Sequence, residues 1–207
     1  MIMIKGFWHI ALMGNWYSVV SNQLRIMLYS GLYNECSIIK IGCIGSQKEK
    51  DYLERFIVNL YPKLKTCYYS PNLNEYEFPT LGLIEKDKDE YKGFYIHTKG
   101  VSKPNDTCTA HWGAWMNESI LGAWKYHHKN LYQHDMSGVN WLDTYYSGNF
   151  FWFRSSIVQT LPKLSTLNKK NRYEAEHWFC GSISPERCFK GAFKECGLGR
   201  DSFLINY

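Results

Sequence analysis

The spacing of apolar residues in the first part of the chain predicts strands that alternate with helices. Residues 4–12 are almost continuously apolar and aromatic and are expected to form a strand. Gly14 ends that strand, and Asn15 is suited to cap a helix in which apolar residues recur at helical spacing until Gly31. The mostly apolar residues 36–45 predict a second strand, which is expected to be buried on both faces.

The same alternation continues as far as His97. We expect a helix over 48–60, a short strand over 64–69, a helix over 75–91 and a strand over 93–97. Repeated strand–helix units are typical of a parallel sheet with crossover helices, whose ligand site lies at the carboxyl ends of the strands. The residues expected at those strand ends are Met13–Trp16, Gly45–Ser46 and the segment that begins at His97.

The second half of the chain is less regular and carries no internal repeat or low-complexity linker. Its predicted elements are a Trp-rich helix near 107–128, short strands near 136–141 and 148–154, a helix over 155–161 and a helix that begins near Tyr173. We therefore predict one α/β domain over residues 1–207, with a central mostly parallel or mixed sheet flanked by helices. Residues 1–100 are expected to bind a cofactor or donor, and residues 101–207 to complete the site.

Composition narrows the classes of function. The 207 residues include 8 Trp, 16 Tyr and 11 Phe, and aromatic residues in such numbers often line a ligand cleft, although a bulky core explains them equally well. The net charge of +5 comes from dispersed lysines, which disfavours nucleic acid as a partner. No run approaches the roughly 18 apolar residues of a membrane span, so membrane contact is expected to be at most peripheral. Seven cysteines without a Cys-x-x-Cys pair indicate reduced thiols and a cytoplasmic location.

Several common motifs are missing from the sequence. There is no Gly-x-Gly-x-x-Gly after the first strand, no P-loop and no Gly-x-Ser-x-Gly elbow, which disfavours dehydrogenases, P-loop kinases and α/β-hydrolases. His177 and the three cysteines that follow it lack the close pairs of a zinc site. Asp87 and Asp89 have metal-chelating Asp-x-Asp spacing, but they precede the fourth strand in a run of alternating charges that is typical of a solvated helix end.

Three segments are suited to ligand chemistry, and the first is His97–Gly100, where the fourth strand ends. An imidazole, a hydroxyl and an ammonium group on a glycine-bounded turn can hold a diphosphate, with or without a metal ion. A polar exit from the strand is the alternative interpretation. The aromatic residues on or beside the three segments, which are expected to shape part of a cleft, are Tyr95, Trp141, Phe150, Trp152, Tyr173 and Trp178.

The second segment runs from Gly138 to Trp152 and places small and amide residues between apolar strands. Asn side chains beside a Trp face offer a hydroxyl-rich ring both hydrogen bonds and a stacking plane. A buried aromatic strand with turn residues fits this segment equally well.

The third segment, Arg172–Trp178, contains Glu174 and Glu176. Two carboxylates at this spacing cannot both face the same way on a helix, so one is expected to face the cleft and the other to support it. A carboxylate next to aromatic surface can act as a general base. A solvated helix start with favourable acidic residues is the alternative.

Taken in order, pieces of the chain resemble a family of small glycosyltransferases found in capsule, lipopolysaccharide and viral glycan gene sets. The matching pieces are His9–Ala11 with Gly14–Trp16, Phe94–Gly100, Gly138–Trp141, Ser147–Phe150 and Arg172–Glu176. They extend over nearly the whole chain, and their order is more specific than any one of them. The resemblance implies a single Rossmann-like domain of the GT-A type, whose first half binds the nucleotide and which transfers a sugar, most often from a UDP-sugar.

The resemblance also implies roles for individual residues. Glu174 or Glu176 would deprotonate the acceptor hydroxyl, which gives inversion at the anomeric carbon, although the sequence leaves retention open. The residues implied in binding the donor are His9, Ala11, Asn15, His97, Thr98, Lys99 and Gly100. Those implied in binding the acceptor sugar are Asn140, Trp141, Ser147, Gly148 and Asn149.

The turn after the fourth strand departs from the Asp-x-Asp that usually holds the diphosphate and Mn²⁺ or Mg²⁺ in GT-A enzymes. In its place this chain has His97, Thr98 and Lys99, so either Lys99 neutralises the diphosphate directly or His97 is one ligand of a metal ion. The predicted activity is hexosyl transfer from a nucleotide-sugar to a hydroxyl group of a glycan acceptor. A non-catalytic carbohydrate-binding protein, which would use the same Trp, Tyr and Asn side chains, is the alternative.

Overall fold

The computed structural model describes residues 2–139, 141–142, 145–146 and 148–191, with Leu142, Lys190 and Gly191 described by backbone alone. Strands and helices alternate through the first half, as the apolar spacing predicts. The elements of this half are β1 (Met3–Leu12), α1 (Trp16–Tyr29), α2 (Leu32–Glu35), β2 (Cys36–Gly45), α3 (Gln47–Phe56), β3 (Leu64–Ser70), α4 (Phe78–Lys86) and β4 (Tyr91–His97).

The described part of the second half consists of shorter elements, of which three strands join the same sheet and a two-stranded hairpin forms a sheet of its own. They are α5 (Thr107–Asn117), a π-helical turn (Glu118–Gly122), α6 (Trp124–Asn130), β5 (Met136–Val139), a hairpin of β6 (Trp141–Leu142) and β7 (Tyr145–Tyr146), β8 (Phe151–Arg154), α7 (Arg172–His177) and β9 (Cys188–Gly191). Within the described residues the main sheet has seven strands in the order β3-β2-β1-β4-β8-β5-β9. Strands β3, β2, β1 and β4 are mutually parallel, and β8 pairs antiparallel with both β4 and β5. The prediction of one α/β domain with a mixed sheet is confirmed.

Helices cover both faces of the sheet because β1 is apolar on both of its faces. Neighbouring Phe7 and Trp8 are fully buried and belong to different apolar clusters, since successive side chains of a strand point to opposite faces. The Trp8 cluster includes apolar residues of α1, α3 and α5, whereas the Phe7 cluster includes those of α4 and α7. This two-sided burial leaves the strand ends as the place where a ligand can approach the sheet.

Four predicted helices differ from the structure. The helix expected over 48–60 ends at Phe56 as α3 and is followed by a separate 3₁₀ turn, Val58–Leu60. The helix expected over 75–91 is only Phe78–Lys86, because Pro79 is accommodated in the first turn of a helix, where its missing N–H is not needed. The helix expected over 107–128 is divided by the π-helical turn, and the one expected over 155–161 is a 3₁₀ helix (Ser155–Thr160).

The interpretation of Asp87 as part of a solvated helix end is wrong. Asp87 is only 8% exposed, and its carboxylate accepts hydrogen bonds from Lys5 Nζ (2.9 Å) and Lys40 Nζ (2.7 Å). Although burial raises the pKa of Asp87, the bonds from Lys40 and Lys5 outweigh burial and lower that pKa below its ordinary value. Asp87 therefore joins α4 to β1 and β2 as a buried ion pair, at the opposite end of the strands from His97.

Candidate functional site

A cavity of about 590 Å³ lies at the carboxyl ends of β1, β2 and β4. Residues from all three strand ends line it, together with the segment before α4, the loop after β4, and α7. Of the predicted donor-binding and catalytic residues, the structure brings seven to this cavity: His9, Ala11, His97, Thr98, Lys99, Gly100 and Glu176. A cavity therefore lies at the carboxyl ends of the parallel strands, where this sheet topology predicts a ligand site.

The turn that follows β4 is attached to the end of β1 by backbone geometry. The Thr98 N–H donates to the carbonyl of His9 (3.1 Å), and the Ala11 N–H donates to Thr98 Oγ1 (3.0 Å). Gly14 has a φ of +56°, and a Cβ at that position would collide with the backbone carbonyl oxygen of Val101. Glycine is required there because the loop after β4 passes directly against the end of β1.

Cationic side chains enter the cavity from two elements. Lys99 and Lys103 come from the loop after β4, and Arg172 comes from the start of α7. Lys99 Nζ lies 4.7 Å from the ring centre of Trp112, which also lines the cavity, so an aromatic face holds this ammonium group in place. Three positive charges around one cavity favour an anionic ligand such as a diphosphate.

Glu77, which the sequence analysis did not select, is the cavity carboxylate that has hydrogen-bond partners among the described residues. Its Oε2 accepts hydrogen bonds from Tyr95 Oη and from Asn149 Nδ2, both at 2.6 Å. Burial and the charge of Glu77 raise the pKa of Tyr95 well above its ordinary value, so the phenol keeps the proton that it donates. The second carboxylate oxygen of Glu77, Oε1, lies 3.9 Å from His97 Nδ1.

Backbone strain is concentrated around this carboxylate. Tyr76 (φ +49°) directly precedes Glu77, and Asn149 (φ +58°) donates to it, and these are the two non-glycine residues with positive φ in the described part of the chain. Such conformations cost about 1–3 kcal/mol each and cluster at functional sites. The two strained residues are therefore the one that precedes Glu77 and one that donates a hydrogen bond to its carboxylate.

His97 presents an unprotonated nitrogen to the cavity. Its Nε2 lies 2.8 Å from the carbonyl oxygen of Gly148, which can only accept, so Nε2 carries the ring proton. Burial, with a further contribution from the charge of Lys99, lowers the pKa of His97 to about 4, so the ring is neutral at pH 7. Nδ1 is then a free acceptor beside Glu77 Oε1, and the contact between them is not an ion pair. Two neighbouring acceptors suit the hydroxyl groups of a ligand.

The ring of His9 is also neutral, and its hydrogen-bond partner is Thr80. Its Nδ1 lies 3.0 Å from Thr80 Oγ1, and the Thr80 hydroxyl donates to the carbonyl of Gly42 (3.3 Å). The Thr80 oxygen is therefore free to accept from His9, which leaves Nε2 of His9 as the unprotonated nitrogen. Burial lowers the pKa of His9 to about 4. His9 thus adds a second neutral imidazole to the cavity.

The two predicted catalytic carboxylates are separated by the helix, as expected from their spacing. Glu176 lines the cavity, whereas Glu174 does not. Glu176 makes no hydrogen bond to another described group, and its charge acts on both His97 and Tyr95. Its carboxylate is therefore available to a ligand.

The predicted acceptor-binding segment lies behind the cavity wall. Gly148 and Asn149 do not line the cavity but hold His97 and Glu77 through the two hydrogen bonds described above. Trp141 packs against Tyr146 with ring centres 4.8 Å apart, in the apolar cluster of Phe7. Asn140 and Ser147 fall outside the described residues, and Asn15 is exposed at the start of α1, outside the cavity lining.

The expectation that aromatic residues of the three segments shape the cleft is not met. Tyr95, Phe150, Trp152 and Trp178 are at most 2% exposed and belong to the core, and none of the six predicted residues lines the cavity. The aromatic rings that do line it belong to Tyr76 and Trp112. An apolar strand in a sheet covered on both faces buries its rings, so the aromatic side chains of β4 and β8 are not free to bind.

The described residues do not fit a metal site made by the protein alone. Among them, no group of three or more His, Cys, Asp or Glu side chains is arranged to hold a metal ion. His97 and Glu77 offer two acceptor atoms 3.9 Å apart, and the remaining charged groups from the strand-end loop are lysines. These residues alone therefore do not support a bound metal ion.

Among the described residues, no helix has the length and apolar character of a membrane span.

The residues missed by sequence reasoning carried weak signals. Glu77 stands directly before Phe78 and Pro79, and a proline in the first helical turn places the preceding residue at the helix start, where its side chain can face the strand ends. Lys103 falls in a polar segment, Trp112 in the predicted Trp-rich helix and Arg172 beside the predicted carboxylates, and no periodicity marks any of the three as a cavity residue.

Comparisons with known proteins assign no family. No protein-family model matches the chain, and no curated protein matches its sequence. Among solved structures, 4-diphosphocytidyl-2C-methyl-D-erythritol synthase from Anaerococcus prevotii is similar with a TM-score of 0.49 and 10% identity, over 91% of this chain and 86% of that one. A likeness of this size and identity carries no argument about activity, so function must be argued from the site.

Proposed function

We propose that this protein is a glycosyltransferase that transfers a hexosyl group from a nucleotide-sugar to a hydroxyl group of a glycan acceptor. The donor that we propose is a UDP-sugar. One observation carries the proposal. A single cavity at the carboxyl ends of parallel strands combines three cationic side chains with two carboxylates and two neutral imidazoles. A sugar nucleotide needs cations for its diphosphate, and it needs carboxylates and imidazoles to accept hydrogen bonds from the hydroxyl groups of its sugar.

The cations account for the leaving group. A nucleoside diphosphate departs from the anomeric carbon more readily when nearby positive charges stabilise the charge that develops on it. Lys99, Lys103 and Arg172 supply those charges from the loop after β4 and from α7. Because Trp112 holds the Lys99 ammonium group and the turn is bonded to β1, the charge of Lys99 is largely in place before the ligand arrives.

The two carboxylates have different roles in the proposed reaction. Glu176 is free of protein hydrogen bonds among the described groups and is assigned as the general base. It takes the proton of the acceptor hydroxyl while that oxygen forms a bond to the anomeric carbon. The bond from this carbon to the diphosphate oxygen breaks, and its electron pair leaves with the diphosphate. Attack opposite the leaving group gives inversion, and Glu176 later releases the proton to water.

Glu77 and His97 are assigned to the hydroxyl groups of the donor sugar. Glu77 Oε2 is already occupied by Tyr95 and Asn149, so the atoms left for a ligand are Glu77 Oε1 and His97 Nδ1. Both are acceptors and both are held rigidly, which suits recognition of hydroxyl groups at a fixed spacing.

Turnover of the Glu176 variant tests this assignment. UDP release from UDP-hexoses in the presence of a saccharide acceptor mixture is measured for the wild type, Glu176→Gln and Glu174→Gln. We expect Glu176→Gln to lose about a hundredfold in rate and Glu174→Gln to keep nearly all of it, because only Glu176 reaches the cavity. Equal rates in the two variants would show that the base is assigned wrongly. A sugar-binding protein without activity would bind saccharide but release no UDP.

A further inference from the structure

A second cavity, of about 720 Å³, adjoins the first. Residues of the segment before α4, of α4 itself and of 164–170 line it. Asn74 and Tyr76 line both cavities, so the two spaces meet at these side chains. None of the residues assigned to the donor or to catalysis lines the second cavity.

The unpaired charges of the second cavity are positive. Its two carboxylates already have internal partners: Glu75 accepts from Tyr68 Oη (2.8 Å) and Ser70 Oγ (3.0 Å), and Glu85 accepts from the Leu164 N–H (2.9 Å). Its three lysines are Lys86, Lys169 and Lys170. All three are exposed, and among the described residues none has a carboxylate within ion-pair distance.

Flat aromatic faces accompany these charges. Tyr68, Tyr76 and Phe78 line the second cavity, and the bond from Tyr68 to Glu75 fixes the position of one phenol. Aromatic faces pack against the apolar faces of sugar rings. Tyr76 stands where the cavities meet and has a strained backbone, with φ +49° and ψ −135°. A backbone held in a costly conformation at this boundary indicates that the position of the Tyr76 side chain matters.

We propose that the second cavity is the acceptor subsite and that it binds a saccharide bearing an anionic group, such as a phosphate or a uronate carboxylate. This inference rests on the proposed function, since it supplies the acceptor for the same reaction. Lys169 and Lys170 meet the anionic group, and the aromatic rings contact the sugar. The hydroxyl group to be glycosylated then enters the first cavity past Tyr76.

Binding of small saccharides to the UDP-saturated protein tests the subsite. Glucose 6-phosphate, glucuronic acid, glucose and inorganic phosphate are titrated by calorimetry at low ionic strength. We expect the two anionic saccharides to bind about tenfold more tightly than glucose, and inorganic phosphate to bind more weakly than glucose 6-phosphate. Equal affinity of glucose and the anionic sugars would overturn the inference, and so would equal affinity of inorganic phosphate and glucose 6-phosphate.

The matched variants are Lys169→Ala/Lys170→Ala and, as a control of equal charge change, Lys48→Ala/Lys129→Ala at exposed positions outside both cavities. The first pair should abolish the preference for anionic sugars, and the control should keep it. Lys86→Ala should weaken the preference as an independent variant. Preference retained in Lys169→Ala/Lys170→Ala contradicts the inference. The failures are distinguishable, because loss of the subsite leaves UDP binding intact, whereas a wild type that does not bind UDP refutes the proposed function itself.

Discussion

Asn149 donates a 2.6 Å hydrogen bond to Oε2 of Glu77, which lies 72 residues earlier in the chain. The bond connects the loop before β8 to the start of α4, and it is made by a residue with φ +58°. Asparagine tolerates this conformation better than most residues because its short amide can bond locally. Here the amide bonds to a carboxylate of the cavity instead, so we expect its loss to disturb the site more than the fold.

Asn149→Gly separates those two effects. Glycine keeps the positive φ without strain and removes only the donor. We expect about a tenfold loss of sugar transfer, because Glu77 loses one of the two donors that orient it. The thermal midpoint should stay within a few degrees of the wild type, because relief of the strain at φ +58° offsets part of the roughly 1.5–3 kcal/mol that a hydrogen bond to a charged group contributes. Tyr95→Phe, which removes the other donor to the same oxygen, should produce a similar loss. Full activity in both variants would show that the orientation of Glu77 is unimportant.

Stability is expected to fall as the pH is lowered from about 6.5 to about 4. Burial lowers the pKa of His9 and His97 to about 4 and that of His127 to about 3, and it shifts His128 in the same direction. In this window the unfolded chain binds protons that the folded chain does not. The free energy of unfolding therefore drops by up to about 1.4 kcal/mol per pH unit for each histidine, whereas above about pH 6.5 both states are neutral.

Urea denaturation at pH 7.5, 6 and 5 measures this dependence. His97→Gln removes one of the titrating groups, so its free energy of unfolding should decline less steeply than that of the wild type. The lowered pKa of Asp87 acts only below about pH 4 and lies outside the window. Parallel declines in His97→Gln and the wild type would contradict the assignment of a buried neutral imidazole at this position.

The ion pair between Lys5 and Asp87 should matter for stability and not for binding. Lys5 is 4% exposed and Asp87 is 8% exposed, and Asp87→Asn would leave the buried ammonium group with an incomplete set of partners. We expect a loss of about 3 kcal/mol in the free energy of unfolding. Asp89→Asn is the control, because the Asp89 side chain is 62% exposed and also contacts Lys5, and should cost less than about 1 kcal/mol. Equal losses would contradict the account of a buried pair.

Removal of divalent ions should leave UDP affinity within about twofold of its value in Mg²⁺ or Mn²⁺, because Lys99, Lys103 and Arg172 line the cavity in which we propose that the diphosphate binds. Calorimetry with EDTA, and then with each ion, measures it. An affinity that disappears in EDTA would mean that the charges of the cavity do not suffice.

Most of the fold is predictable because apolar spacing reports burial. β1, β2, α1 and the position of the candidate site at the strand ends follow from runs such as residues 36–45, which are mostly apolar. Pro79 and the run Asp87–Glu90 mislead for a physical reason, since a proline starts a helix as readily as it ends one and a charge near a strand is solvated only if no buried lysine reaches it.

The site is less predictable, because its parts come together from distant segments. Glu77 acquires a role only through Tyr95 and Asn149, and neither partner is near it in the sequence. Gln23 is a similar case, because it accepts from Trp8 and donates to Asn117 and to the carbonyl of His97, thereby supporting the turn from inside the core. Tertiary bonds of this kind leave no periodic signal in one sequence.

Calorimetric titration with UDP tests the central claim, that the strand-end cavity binds a nucleoside diphosphate. The wild type is compared with Lys99→Ala/Lys103→Ala and with the control Lys48→Ala/Lys129→Ala, which changes the net charge equally but lies outside the cavity. We predict that UDP binds the wild type and the control alike and binds Lys99→Ala/Lys103→Ala at least about tenfold more weakly. UDP binding that is absent from the wild type, or equal in all three proteins, would contradict the account.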